Sequence, residues 1–97
     1  MAIMQVSTLT RPDHTIPWTN PAIDNSVYNF HNFLESGKIL SHHVEETGTT
    51  ITRTTVFADA NSYTSYFNDI AMQSAVIEWQ IQHNITQTIT RDFNYTP

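Results

Sequence analysis

Cysteine is absent from this chain of 97 residues, which removes disulfides, thiolate nucleophiles, iron–sulfur clusters and cysteine-based zinc sites together. Any metal would have to be held by histidine and carboxylate. Glycine is nearly absent too: Gly37 and Gly48 stand alone, so no glycine-rich loop can cradle a phosphate, and nucleotide cofactors are not expected. Positive charge is scarce. Arg11, Lys38, Arg53 and Arg91 are scattered along the chain against nine Asp and Glu residues, for a formal charge of −5. Duplex nucleic acid and anionic membrane surfaces both draw their partners with clustered cations, so neither is an expected partner. No apolar run approaches the ~18 residues of a membrane span, and the first residues lack the cationic start and apolar stretch of a secretion signal. The expectation is a soluble cytoplasmic protein with no cofactor and no metal.

Hydrophobic residues make up 39% of the chain, enough for one small core, and the length suits one domain over residues 1–97. Met1 to Thr10 (MAIMQVSTLT) is rich in apolar and β-branched side chains and reads as a first strand. Arg11 to Asn20 (RPDHTIPWTN) carries two prolines, Asp13 and Asn20, and reads as a loop holding Trp18. Asn20 before Pro21 has the form of a helix cap followed by proline at the first helical position. Ile23, Val27, Phe30 and Leu34 then fall on one stripe, and Gly37 supplies a left-handed stop.

Two runs rich in Ile, Val, Thr and Phe, Lys38–Glu46 and Thr49–Ala58, flank Gly48 and predict a hairpin. A loop of two or four residues puts Leu40, His42 and Val44 on the same side as Ile51, Arg53, Thr55 and Phe57. A three-residue loop with a glycine bulge puts His43 there instead. The even loop matches the apolar residues better. Asp59, Asn61 and Ser62 offer capping oxygens ahead of a long helical region that pauses near Asn68 and Asp69. Its second part has two apolar stripes, one of Met72, Val76, Trp79 and His83 and one of Ile70, Ile77 and Ile81, so cover on two sides is expected, from a neighbouring element or another subunit. In the tail, Ile85, Gln87, Ile89, Arg91 and Phe93 alternate with threonines and Asp92, as in a half-buried strand after an Asn84 cap.

The order strand, helix, strand, strand, helix, strand is the ferredoxin-like βαββαβ pattern of the α+β class. Right-handed crossovers give a four-stranded antiparallel sheet in the order four, one, three, two, with two helices on one face. The layout resembles the dimeric α+β barrel superfamily, which includes antibiotic-biosynthesis monooxygenases. The passage Phe57 to Asp69 (FADANSYTSYFND) is similar to the strand-to-second-helix passage found there. The resemblance implies a homodimer built by pairing two sheets, and, if the chain is an enzyme, cofactor-free oxidation or isomerisation of a small conjugated acid.

Arg53 sits mid-strand among apolar neighbours and, in the preferred register, opposite His42, while Arg91 and Gln87 share a face with Ile85, Ile89 and Phe93. A guanidinium entering an apolar cavity needs a carboxylate, either from Glu35, Asp69 or Glu78 or from a ligand. His42 beside a cation favours its neutral form and can act as a base. The expected pocket is lined by His42 as proton acceptor with Arg53, Trp79 and Arg91 as ligand-binding residues. Trp18 is either a lid over that pocket or a plug for the core edge or the partner subunit. The alternative function is a non-catalytic dimerisation or assembly module with no ligand, whose threonine-rich outer face and two-sided second helix serve association.

Overall fold

A computed structural model describes residues 1–22, 30–68 and 70–97. Its elements are β1 (Ala2–Thr10), α1 (Phe30–Glu35), β2 (Ile39–Thr47), β3 (Thr50–Phe57), α2 (Ala60–Phe67), α3 (Ile70–Gln82) and β4 (Thr86–Tyr95). The four strands form one antiparallel sheet in the order β2-β3-β1-β4, which is the order that right-handed crossovers require. Ile23 and Val27 of the expected first-helix stripe lie outside the described residues, as do Asp69 and the side chains of Ile70 and Met72.

The hairpin closes through Gly48 and Thr49, with Thr47 paired to Thr50. Gly48 adopts φ +54, a conformation that glycine enters without penalty, in the first central position of a two-residue turn. The even loop puts His42, Val44, Arg53 and Thr55 on one face, but His42 pairs with Thr55 and Val44 with Arg53. Setting Arg53 directly opposite His42 would need a turn centred on Thr47 and Gly48; the observed turn, centred one residue later on Gly48 and Thr49, makes them diagonal neighbours. A register shift between Ile39 and Ser41 moves Ile39 opposite Phe57. Ile39 therefore enters the core and Leu40 is left half exposed, contrary to its expected inward position.

The described helices α1, α2 and α3 cover the same face of the sheet. Towards one end, Ile3, Ile39 and Phe57 pack against Phe33 and Leu34 of α1 and Tyr63, Tyr66 and Phe67 of α2. The Phe57 ring lies within 5.4 Å of the Tyr63 and Tyr66 centroids in edge and tilted contacts, geometries that add to burial. Towards the other end, Leu9, Ile51 and Ile85 pack against Ile16, Trp18 and Trp79. The helical region after β3 is capped by Asp59, whose carboxylate accepts from the Ser62 amide at 2.7 Å, and its first part ends at Asn68, where the pause was expected. Asn84, at φ +54, closes α3 in the left-handed conformation expected of a cap. Two members of the second stripe of α3 are exposed, Ile77 at 51% and Ile81 at 73%.

Candidate functional site

The two apolar clusters are separated by a polar band on the helix-facing side of the sheet. Pairing across the strands sets His42, Thr55, Gln5 and Arg91 in one row, and Val44, Arg53, Ser7 and Ile89 in the next. Gln5, Ser7 and Thr55 are buried. Over this band lies a cavity of about 430 Å³, floored by Gln5, Ser7, Arg53 and Thr55 and roofed in part by Tyr66, Phe67, Val76 and Gln80. Its size is that of a small-molecule site. Val44 lines the cavity yet is 44% exposed, so the cavity opens along the β2 edge.

Arg53 is the dominant charge there. Its Nε is buried and has no hydrogen-bond partner, and among the described residues no carboxylate forms an ion pair with it. Burial pulls the guanidinium below its usual pKa, opposed by its attraction to Tyr66 and Glu46. A guanidinium nevertheless stays protonated in a protein. The result is a positive charge facing a cavity with little to neutralise it. His42, half-buried, shares a 3.0 Å hydrogen bond between Nδ1 and Thr55 Oγ1. Its pKa is lowered first by burial, then by the charges of Arg53 and His43, so the neutral imidazole is the form present near neutrality and it can accept a proton.

The loop after β1 forms the cavity's far wall and is pinned in three places. Arg11, only 9% exposed, donates through Nε and Nη2 to the Gly48 carbonyl and through Nη1 to the Ile16 carbonyl, and its Nη2 pairs with Glu46 at 3.2 Å. The Trp18 indole lies 4.2 Å from the Arg11 guanidinium and donates to the same Glu46 oxygen at 2.6 Å. The Trp79 indole donates to the Pro17 carbonyl at 2.8 Å. Trp18 is thus a fixed plug that packs on the Leu9–Ile51–Ile85 cluster while lining the cavity, not a loose lid.

Of the four residues expected to line the pocket, His42 and Arg53 do so and Trp79 and Arg91 are not among the lining residues. Trp79 is held against the second cluster and meets His83 in a tilted ring contact, with centroids 3.9 Å apart. Arg91 is on the edge strand, where its Nε donates to Gln5 Oε1 at 3.1 Å and its guanidinium lies over the Tyr63 and Phe67 rings. Sharing a face placed Arg91 over the sheet, but the row it occupies ends beyond the cavity. Gln5, Ser7 and Arg11 were not singled out from the sequence. For the first two a signal existed, since Gln5 and Ser7 sit between Ile3 and Leu9 on the inward side of β1 and interrupt it with polar groups. Arg11 had none, because its partners Glu46 and Gly48 lie 35 and 37 residues away.

These features define an α+β protein of ferredoxin-like fold with a lined cavity between its helices and its sheet. The fold is shared with two solved structures. One is a candidate antibiotic biosynthesis monooxygenase from Deinococcus radiodurans, 11% identical, with a TM-score of 0.65 over 98% of this chain and 94% of that one. The other is a dimeric ferredoxin-like protein from an uncultured marine organism, 6% identical, with a TM-score of 0.66 over 99% of this chain and 90% of that one. At these identities the likeness is one of fold. No protein-family model matches the sequence, and no curated protein is significantly similar to it. Among the described residues no helix is long and apolar enough to cross a membrane, and no group of three or more His, Asp or Glu side chains could hold a metal ion.

Proposed function

We propose that the chain is a single ferredoxin-like domain, paired with a second copy through the outer sheet face, that binds a small conjugated acid in the cavity over Arg53. The observation that carries this reading is the buried Arg53 Nε without a partner. A buried cation left unpaired is costly, and a ligand carboxylate supplies the bidentate partner that guanidinium geometry favours. Neutral His42, one diagonal step away on β2, then accepts a proton from the carbon conjugated to that carboxylate. The electron pair left behind spreads onto the carboxylate that Arg53 holds, so negative charge develops against a fixed positive group. Returning the proton at another carbon completes an isomerisation. For the cofactor-free oxidation that the family resemblance implies, the same deprotonation comes first and dioxygen is the oxidant that takes the electrons of the resulting carbanion. Trp79 and Arg91 act indirectly in this scheme, the first by holding the cavity loop at Pro17 and the second by holding Gln5.

Pairing through the outer face is supported by its chemistry. Met4, Val6 and Thr8 of β1 and Thr52 and Thr54 of β3 occupy the side of the sheet without helices and are only partly buried, and one fold neighbour is named as dimeric. Light scattering should give twice the 11.1 kDa chain mass, and a monomer at high concentration would remove this part of the proposal. For the site, thermal shift against aromatic and short-chain acids should show stabilisation that Arg53→Ala abolishes. No response to any acid in the wild-type chain would leave a module for association alone.

A further inference from the structure

A chain of hydrogen bonds that all point one way ends on Ser7 of the second polar row. Gln80 Nε2, on α3, donates to Gln87 Oε1 at 3.1 Å. Because the Gln87 oxygen is taken, its amide turns the NH₂ group towards β1, where Nε2 donates to Ser7 Oγ at 2.8 Å. The Ser7 oxygen thereby acts as an acceptor, and its own proton has no acceptor among the described residues. Ser7 is 6% exposed and lines the cavity. It also pairs directly across the β1–β3 ladder with Arg53, a spacing of about 5 Å between Cβ atoms. An unspent hydroxyl proton therefore stands next to an unspent guanidinium, both at the cavity floor. Buried donors without acceptors are uncommon and unfavourable, and two side by side share the same remedy.

We propose that the Ser7 hydroxyl is a second donor of the anion seat, aimed by the Gln80–Gln87 chain, and that the seat is built for an oxyanion with two acceptor oxygens on one centre, as in a carboxylate. This inference rests on the reading of Arg53 as the anion anchor. One ligand oxygen takes the guanidinium and the other takes the Ser7 proton. Each donor in the chain polarises the next, which strengthens the terminal hydroxyl as a donor. Gln80 and Gln87 are positioning residues. Their effect is to decide whether Ser7 donates outward to the ligand or inward to an amide oxygen.

The test uses benzoate and its uncharged counterpart benzyl alcohol, titrated calorimetrically against the whole chain. Hydrogen bonds to a charged acceptor are about twice as strong as neutral ones. Ser7→Ala should therefore weaken benzoate about ten-fold and benzyl alcohol about three-fold or less, as expected for a lost bond of roughly 1.5 kcal/mol to a charged group. Gln80→Met frees Gln87 to turn over and should produce a smaller loss confined to benzoate. Ser7→Thr, which keeps the hydroxyl, should restore the preference, and Ser7→Cys, a weak donor of similar size, should not; this pair serves if the alanine variant folds poorly. Equal weakening of both ligands by Ser7→Ala, or none, overturns the proposal while leaving the anchor intact if Arg53→Met still loses benzoate. If the wild-type chain shows no preference for benzoate, the anchor and the second donor fall together.

Discussion

Replacing Arg53 by methionine should make the unliganded protein more stable. Methionine keeps most of the length and apolar stem of arginine and fills irregular space readily. What it removes is a buried Nε with no hydrogen-bond partner and a positive charge with no ion pair among the described residues. An unsatisfied buried donor costs about 1–3 kcal/mol, and the upper part of that range is discounted here because the guanidinium is not fully buried. The expected gain is therefore about 1–2 kcal/mol, which in a chain of this size raises the melting temperature by roughly 4–16 °C. The assay is thermal and urea unfolding of both proteins at pH 7.5, without and with benzoate. Wild type should gain stability from benzoate while the methionine variant should not. A variant that is less stable than wild type by 2 kcal/mol or more would refute the reasoning, since that is the behaviour of an arginine already satisfied inside the protein.

Arg11 is predicted to respond in the opposite direction: its guanidinium holds the Gly48 and Ile16 carbonyls and Glu46, so Arg11→Met should lower stability by about 2–3 kcal/mol in urea unfolding. Phe57→Ala removes the ring on which Tyr63, Tyr66 and Phe67 pack and should cost about 3–5 kcal/mol, read from the urea midpoint at constant slope. His42 is held below its ordinary pKa of 6.5, so the unfolded chain takes up its proton first as pH falls. Wild type should lose stability relative to His42→Gln below about pH 6.5, by up to ~1.4 kcal/mol per pH unit, until the folded-state pKa is passed; a constant difference between pH 7.5 and 5 would show that burial and Arg53 do not disfavour the imidazolium.

Periodicity carried the architecture because it is local. The alternation from Ile85 to Phe93 and the single Gly48 between two β-branched runs were enough to set two strands and the parity of the hairpin. Handedness then left one strand order. The details that escaped are those fixed by contacts between distant residues. Moving an even-residue turn by one position leaves the same side chains on the same face and changes their partners, so the facing of His42 and Arg53 was readable and their exact pairing was not. The bulge at Leu40 exchanges it for Ile39 at the core, and composition cannot distinguish two adjacent apolar residues. Trp79 and Arg91 were placed on the correct side of the sheet, but a face is wider than a cavity. Arg91, on the edge strand, reaches Gln5 on β1, and Trp79 reaches Pro17, neither contact being encoded by spacing.

The position of the cavity follows from how the sheet's inner face is composed. Along β1 the inward residues run Ile3, Gln5, Ser7, Leu9, and along β3 they run Ile51, Arg53, Thr55, Phe57. In each strand the apolar residues are at the ends and the polar ones in the middle, and the antiparallel pairing stacks middle on middle. Helices laid across such a face bury the ends well and cannot close over the centre without stranding amides, hydroxyls and a guanidinium away from water. A core of two clusters with a hollow between them is the arrangement that these two strands allow. A small domain has little stability to spare, and four apolar residues at positions 5, 7, 53 and 55 would join the clusters into one. That the inner rows are polar where packing alone would favour valine or isoleucine is the physical reason to look for the ligand there, because local rules of core construction are broken most often where a protein binds or reacts.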